Sequence, residues 1–329
     1  MRDLTKQISL VLLAIIILGS GAACSFFESK PSQEPGSTGF VDLSEGLVPL
    51  TQTPAVPIVL MPVASGSKVE SNSKALIDYS NTADGYVMVK WLSSTTRQLR
   101  VQVTGPSKTT YTYVLLPNDT FEVFPLSDGN GSYTVGVFEQ VDGSRYAQAS
   151  SINFTVTLRD EFAPFLRPNQ YVNFNKDNKV VEKAAELVTG KRTVTDKVAA
   201  VYDFVIKTLT YDTDLAGDIS KGIVTGYLPD LDSVLARRKG ICFDYASLMT
   251  AMLRSQQIPT KLVVGFTGDV KHAWINVYSE ESGWIDNVIF FDGKVWTMMD
   301  PTFASSSTNS ASLRAFIGDG SNYVTTNLY

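Results

Sequence analysis

Hydrophobic and polar positions divide the chain into four stretches. Ile8 to Leu18 (ISLVLLAIIIL) is an unbroken apolar run, and small residues follow it up to Cys24. From Ser25 to about Pro57 the chain is rich in Ser, Pro, Glu, Gly and Thr with no apolar period, the pattern of a flexible linker. From about Ile58 to Leu158 short β-type runs take over: GYVMVKWL, RQLRVQVTG, TTYTYVLL, DTFEVFPL, GSYTVGVFEQ and SINFTVTL. Turn signals such as Asp128-Gly129-Asn130-Gly131 and Asp142-Gly143 separate them, so residues 58–158 are expected to form an antiparallel β-sandwich.

After Arg159 the period changes to that of helices. Lys179 to Thr189 and Asp196 to Leu209 have helical spacing. In the second, Val198, Val201, Tyr202, Val205 and Leu209 share a stripe, with Thr195 as the expected N-cap. Asp232 to Arg238 predicts a short helix halted by Gly240. Tyr245, Leu248, Met249 and Met252 recur at helical intervals after Cys242, and Ile258-Pro259 ends that element. In DVKHAWINVY alternation places His272, Trp274, Asn276 and Tyr278 on one strand face and Ala273, Ile275 and Val277 on the other. KVWTMMDPTF predicts a further strand with Trp296, Met298 and Asp300 on a common face, closed by Pro301. Residues 159–329 thus read as an α+β unit.

The N-terminus changes where this fold is expected to reside. Arg2 and Lys6 precede an apolar run too short to span a bilayer comfortably, which fits a signal peptide over residues 1–23. The small residues ending at Cys24 resemble a bacterial lipoprotein cleavage site, with Gly21 where such sites usually carry an aliphatic residue. That resemblance implies lipidation of Cys24 and a chain exported and anchored on the outer side of the cell membrane; ordinary secretion after cleavage behind Ala23 is the alternative.

Charge and composition narrow the chemistry. The 329 residues carry a formal net charge of −5 and no Lys/Arg cluster, a poor match to nucleic acid, whose phosphates require a basic face. A zinc site needs several His or Cys ligands, and only one of each, His272 and Cys242, remains once Cys24 is processed. Gly217, Gly222 and Gly226 lack the Gly-Lys-Ser/Thr ending of a phosphate loop. The acids of DTDLAGD, Asp212 to Asp218, do not follow EF-hand spacing and read as a solvated loop. No cofactor and no metal are expected. Trp274, Trp284 and Trp296 either line a cleft or pack on the sheet.

If Cys24 holds lipid, Cys242 has no intramolecular partner. A leftover thiol in an exported chain is a reactive group, an intermolecular bridge or a buried small hydrophobe. Its position decides between them. Cys242 follows Gly240 at a helix start, where unpaired N–H groups and the helix dipole favour an anionic sulfur. The chain's one histidine, His272, lies about 30 residues on, and the strand-end Asp300 about 30 further. That is the chain order of a nucleophile, its base and the group that orients the base.

GICFDYASLMTAMLRSQQIPTKLVVGF, then HAWINVY, then WTMMDPTF resemble the transglutaminase-like superfamily, related to papain, over about Asp196 to Phe303. The resemblance implies a catalytic domain with a helix packed on an antiparallel sheet, following the immunoglobulin-like sandwich expected over residues 58–158 in an α+β chain, with Cys242 as nucleophile, His272 as general base and Asp300 as its orienter. Tyr211-Asp212 also looks like the family's upstream segment. Family members with cross-linking activity use an upstream tryptophan for the oxyanion. No tryptophan stands between Trp91 and Cys242, so Tyr211 is the substitute considered, against a plain core tyrosine. The implied activity is that of a cysteine peptidase, amidase or acyltransferase acting on a protein, peptide or cell-wall substrate, with hydrolysis ranked above transglutaminase cross-linking. The competing reading is a non-enzymatic surface adhesion or binding lipoprotein.

Overall fold

The computed structural model describes residues 56–285, 289–291, 296–298 and 323–329. The expected signal peptide, the linker through residue 55, Cys24 and Asp300 lie outside the described residues.

Eight strands precede the helices: β1 Val69–Ser71, β2 Ala75–Asp78, β3 Tyr86–Trp91, β4 Leu99–Thr104, β5 Thr110–Leu115, β6 Glu122–Pro125, β7 Gly131–Asp142 and β8 Arg145–Val156. They form two four-stranded antiparallel sheets, β1-β2-β3-β6 and β5-β4-β7-β8. Strict alternation builds the buried faces. In β4, Leu99, Val101 and Val103 are buried while Arg100, Gln102 and Thr104 face outward, and β5 answers with Tyr111, Tyr113 and Leu115. The β7–β8 turn needs Gly143 at φ +51°, a conformation that side chains with a Cβ resist. β1 and β2 are not among the strands expected from the sequence. They are short, and Asp78 is a buried polar residue within an otherwise apolar strand.

Five α-helices follow among the described residues: α1 Lys179–Val188, α2 Val194–Thr208, α3 Thr213–Ser220, α4 Leu231–Arg237 and α5 Cys242–Arg254. Three details differ from expectation. The N-cap of α2 is Thr193, whose hydroxyl accepts from the Asp196 N–H at 3.0 Å, and Thr195 lies inside the helix. Residues 213–220 are helical, not a solvated loop, because the Asp212 carboxylate caps the Leu215 N–H at 3.0 Å. α4 ends at Arg237 and is capped by Arg238, itself in the left-handed conformation with φ 53°, two residues before Gly240.

α5 is the central element: every residue from Asp244 to Arg254 is buried. Such a helix shows little polar face, so its apolar stripe marks only part of what it buries. It packs against α1, α2 and α4 and against β11 Thr260–Thr267 and β12 Val270–Ser279. These strands belong to an antiparallel sheet ordered β13-β12-β11-β16, with β13 Gly283–Ile285 and β16 Tyr323–Leu328; β14 Ile289–Phe291 pairs with β15 Trp296–Met298. Two short parallel strands, β9 Thr210–Tyr211 and β10 Lys239–Gly240, lie just ahead of α3 and α5. Buried residues of the strand-rich and helical parts form one apolar cluster, crossed by the contacting rings of Tyr113, Tyr171 and Tyr329.

Candidate active site

Cys242 is the first residue of α5, and the N-cap is Ile241 in extended conformation. The first N–H groups of a helix have no partner within it, so the thiol sits where backbone donors and the positive end of the dipole converge. Ile241 has no side-chain oxygen to cap them. Asp244 compensates in part, since its Oδ2 accepts from the Ile241 N–H at 2.8 Å. Its Oδ1 accepts from the Tyr227 hydroxyl at 2.7 Å, and Arg237 Nη2 donates to that hydroxyl oxygen at 3.0 Å. Arg237 is fixed in turn by its Nε, which donates to the Lys239 carbonyl at 2.8 Å. Asp244 is fully buried, and burial raises its pKa against the lowering influence of Tyr227, Ile241 and Arg237. Burial and the Asp244 carboxylate push Tyr227 up to about 12.

Tyr211 is held beside this helix start by main-chain pairing. Its Cα partner in β10 is Gly240, and the Asp212 N–H donates to the Gly240 carbonyl at 2.9 Å. Lys239 Nζ pairs with Asp212 at 3.0 Å and Asp214 at 3.4 Å. Burial acts to raise the Asp212 pKa, but the Leu215 N–H and Lys239 hold it below the usual carboxylate range.

His272 lies on β12, opposite Gly265 of β11, and is buried. Its ring stacks against Trp274 at 6.2 Å and meets Tyr323 edge-on at 6.3 Å. Gly265 is a spatial requirement here: a Cβ on it would fall 2.1 Å from the Val324 carbonyl oxygen and 2.6 Å from the Trp274 ring. The alternation expected for β12 holds as geometry, yet both faces are buried from His272 to Val277. Trp274 is 1% exposed and belongs to the packing, while Trp284 meets Phe165 and Tyr278 edge-on under Lys261 Nζ, 3.6 Å from its centroid.

Cys242, His272 and Tyr211 all line one cleft of about 770 Å³. Three of the sequence-predicted site residues therefore converge on a single cavity, and Asp300 lies outside the described residues. The Asp244, Tyr227 and Arg237 cluster is absent from the sequence expectations. An acid at the third helical position, two residues past the cysteine, is a legible N-terminal signal; Tyr227, in an irregular segment, carries none. Among the described residues no group of three His, Cys, Asp or Glu is arranged to hold a metal ion.

Residues 181–287 match the model of the transglutaminase-like superfamily. The chain carries a transglutaminase-like domain. The match takes in α1 to β13 and both Cys242 and His272. No curated protein matches the chain. Among solved structures the chain is similar to a candidate cysteine protease from Cytophaga hutchinsonii, at 16% identity over 72% of each chain with a TM-score of 0.35. It is also similar to the periplasmic domain of TgpA from Pseudomonas aeruginosa bound to ethylmercury, at 16% identity, 74% of this chain, 77% of that one and a TM-score of 0.32. Red sea bream transglutaminase aligns at 13% identity over 66% of this chain and 48% of its own, with a TM-score of 0.24.

Proposed function

We propose that the protein is an exported, surface-anchored thiol enzyme that opens amide or peptide bonds through Cys242, His272 and Asp300. One observation carries the reading: the protein's only imidazole and the helix-start thiol line the same cleft. The Cys242 thiolate attacks the carbonyl carbon, forming a C–S bond and a tetrahedral oxyanion. Collapse breaks the C–N bond, and the imidazolium of His272 protonates the leaving amine. Water then attacks the thioester while His272 takes its proton, and the acid departs from the restored thiol. The backbone N–H of Cys242 and the Tyr211 hydroxyl are the proposed oxyanion donors. Asp300 orients the His272 ring. Hydrolysis is favoured over amine transfer, since water is the default acceptor.

The immunoglobulin-like sandwich and the linker serve in this reading as the stalk between a lipid on Cys24 and the catalytic domain. The two antiparallel sheets preceding the helices are consistent with that role.

The test is limiting iodoacetamide across pH, with labelling read on the Cys242 peptide by mass spectrometry. Labelling that stays fast well below the ordinary thiol pKa of about 8.5, and slows in His272→Ala, is expected for a thiolate–imidazolium pair. A thiol that titrates like free cysteine in both proteins indicates a binding protein. With casein, peptidoglycan fragments and an amine probe as trial substrates, Asp300→Asn keeps the fold and loses about 10⁴-fold in turnover. Near-normal turnover removes Asp300 from the triad.

A further inference from the structure

The cleft has a chemical character of its own. One wall comes from α3 and the segment after it, through Ala216, Ile219 and Val224; another part of the lining comes from β11 and β12, through Val264 and Val270. Apart from the catalytic pair, its charged side chains among the described residues are one acid and one base, Asp269 and Lys271, two residues apart and both exposed on the β11–β12 hairpin. Two nearby cations are engaged elsewhere: Lys239 with Asp212 and Asp214, and Arg237 with the Tyr227 hydroxyl and the Lys239 carbonyl. No arginine lines the cleft among the described residues, so a substrate carboxylate would meet no bidentate partner there.

The first wall is also tied down. Tyr227, itself a lining residue, is hydrogen-bonded to Asp244 inside α5, which fastens the segment after α3 to the helix that bears Cys242. A wall held in place this way spends little ordering entropy when a ligand arrives. At about 770 Å³ the cleft has room for a side chain beside the reacting amide.

We propose that this cleft selects an apolar, uncharged group next to the carbonyl attacked by Cys242, with Ile219 and Val224 forming the selective wall. The inference rests on the reading of Cys242 as the nucleophile and names the substrate class of that site: peptides with a hydrophobic residue at the cleavage point, in preference to acidic ones. Burying one Leu- or Phe-sized group is worth roughly ten- to a hundredfold in affinity. A substrate anion gains no such term and loses hydration.

Three thiol reagents of graded chemistry test this on the full chain: iodoacetamide, N-benzyl-iodoacetamide and iodoacetate. Second-order rates are read on the Cys242 peptide by mass spectrometry and divided by those of N-acetylcysteine. The expected result is a normalised preference of about tenfold or more for the benzyl reagent over both iodoacetamide and iodoacetate. Ile219→Asp and Val224→Asp each bring the benzyl-to-parent ratio close to one. Ile219 lies on α3, which buries no residue fully, so its replacement leaves the core intact. Equal normalised rates for the three reagents overturn the proposal, as does a benzyl preference that both variants retain. Failure of the catalytic reading looks different: wild-type and His272→Ala proteins then share the pH profile of free cysteine, whatever the reagent ratio.

Discussion

Gly240 and Asp244 adjoin so closely that a Cβ on the glycine would stand 2.7 Å from the Asp244 Cβ and 2.9 Å from its Oδ2. The same Oδ2 receives the Ile241 N–H. The glycine two residues before Cys242 is thus required by the carboxylate two residues after it. Both serve one end: a helix start that presents the thiol without any side-chain cap from Ile241.

Gly240→Ala forces Asp244 off its position. The expected loss is about 1–3 kcal/mol of stability, the usual penalty for inserting a methyl group into packed space. Urea unfolding measures it. The contact predicts strong coupling, so Gly240→Ala made in an Asp244→Gly background costs less than half as much as in the wild type. Additive losses in that cycle would place the strain elsewhere.

Asp244 also predicts a pH dependence. Burial, reinforced by the nearby Asp212 charge, raises its folded-state pKa, with Tyr227, the Ile241 N–H and Arg237 opposing. A carboxyl whose folded pKa exceeds its unfolded one binds its proton more tightly in the folded chain. Its favourable contribution is therefore complete below the unfolded value of about 3.9 and declines as pH rises through the raised folded value. Relative to Asp244→Asn, the wild type is most stable in acid and loses ground as pH rises, levelling once Asp244 is ionised. Urea midpoints for the two proteins at closely spaced pH values from acid to neutrality check the sign. A gap that widens in the wild type's favour as pH rises contradicts it.

Much of this site can be read from residue order, and the exceptions share a physical cause. The strands from Tyr86 onward alternate cleanly where one face is buried and the other wet, as in β4 and β5, so period and structure agree. β12 alternates in geometry but is covered on both sides, which hides the distinction between His272 and Ala273. Cys242 and His272 stand out because each is a rare residue in a telling local context, a helix start and a strand. Tyr227 could not be found this way: it acts across 17 positions through a hydrogen bond to Asp244, and local pattern holds no record of that contact. Asp212 to Asp218 look like a charged loop because the acids dominate the string, yet Asp212 is the cap that starts α3.

The start of α2 gives the same lesson in measurable form. Thr193, Thr195 and Asp196 are all chemically able to cap a helix, and spacing to the apolar stripe alone favours Thr195. The structure selects Thr193, which is extended at φ −98° and ψ 156° and accepts the Asp196 N–H, while its carbonyl takes the Lys197 N–H at 3.2 Å. Thr193→Ala leaves the Asp196 N–H without that acceptor and is expected to cost about 1 kcal/mol. Thr195→Ala, in the first turn, exchanges a β-branched residue for the best helix former and is expected to be neutral or slightly stabilising, within about 0.5 kcal/mol. Thermal and urea unfolding of the two variants side by side decide the matter. Equal losses in both, or the larger loss in Thr195→Ala, would mean that the helix begins two residues later in solution and that the Thr193 hydroxyl is not the group that holds it.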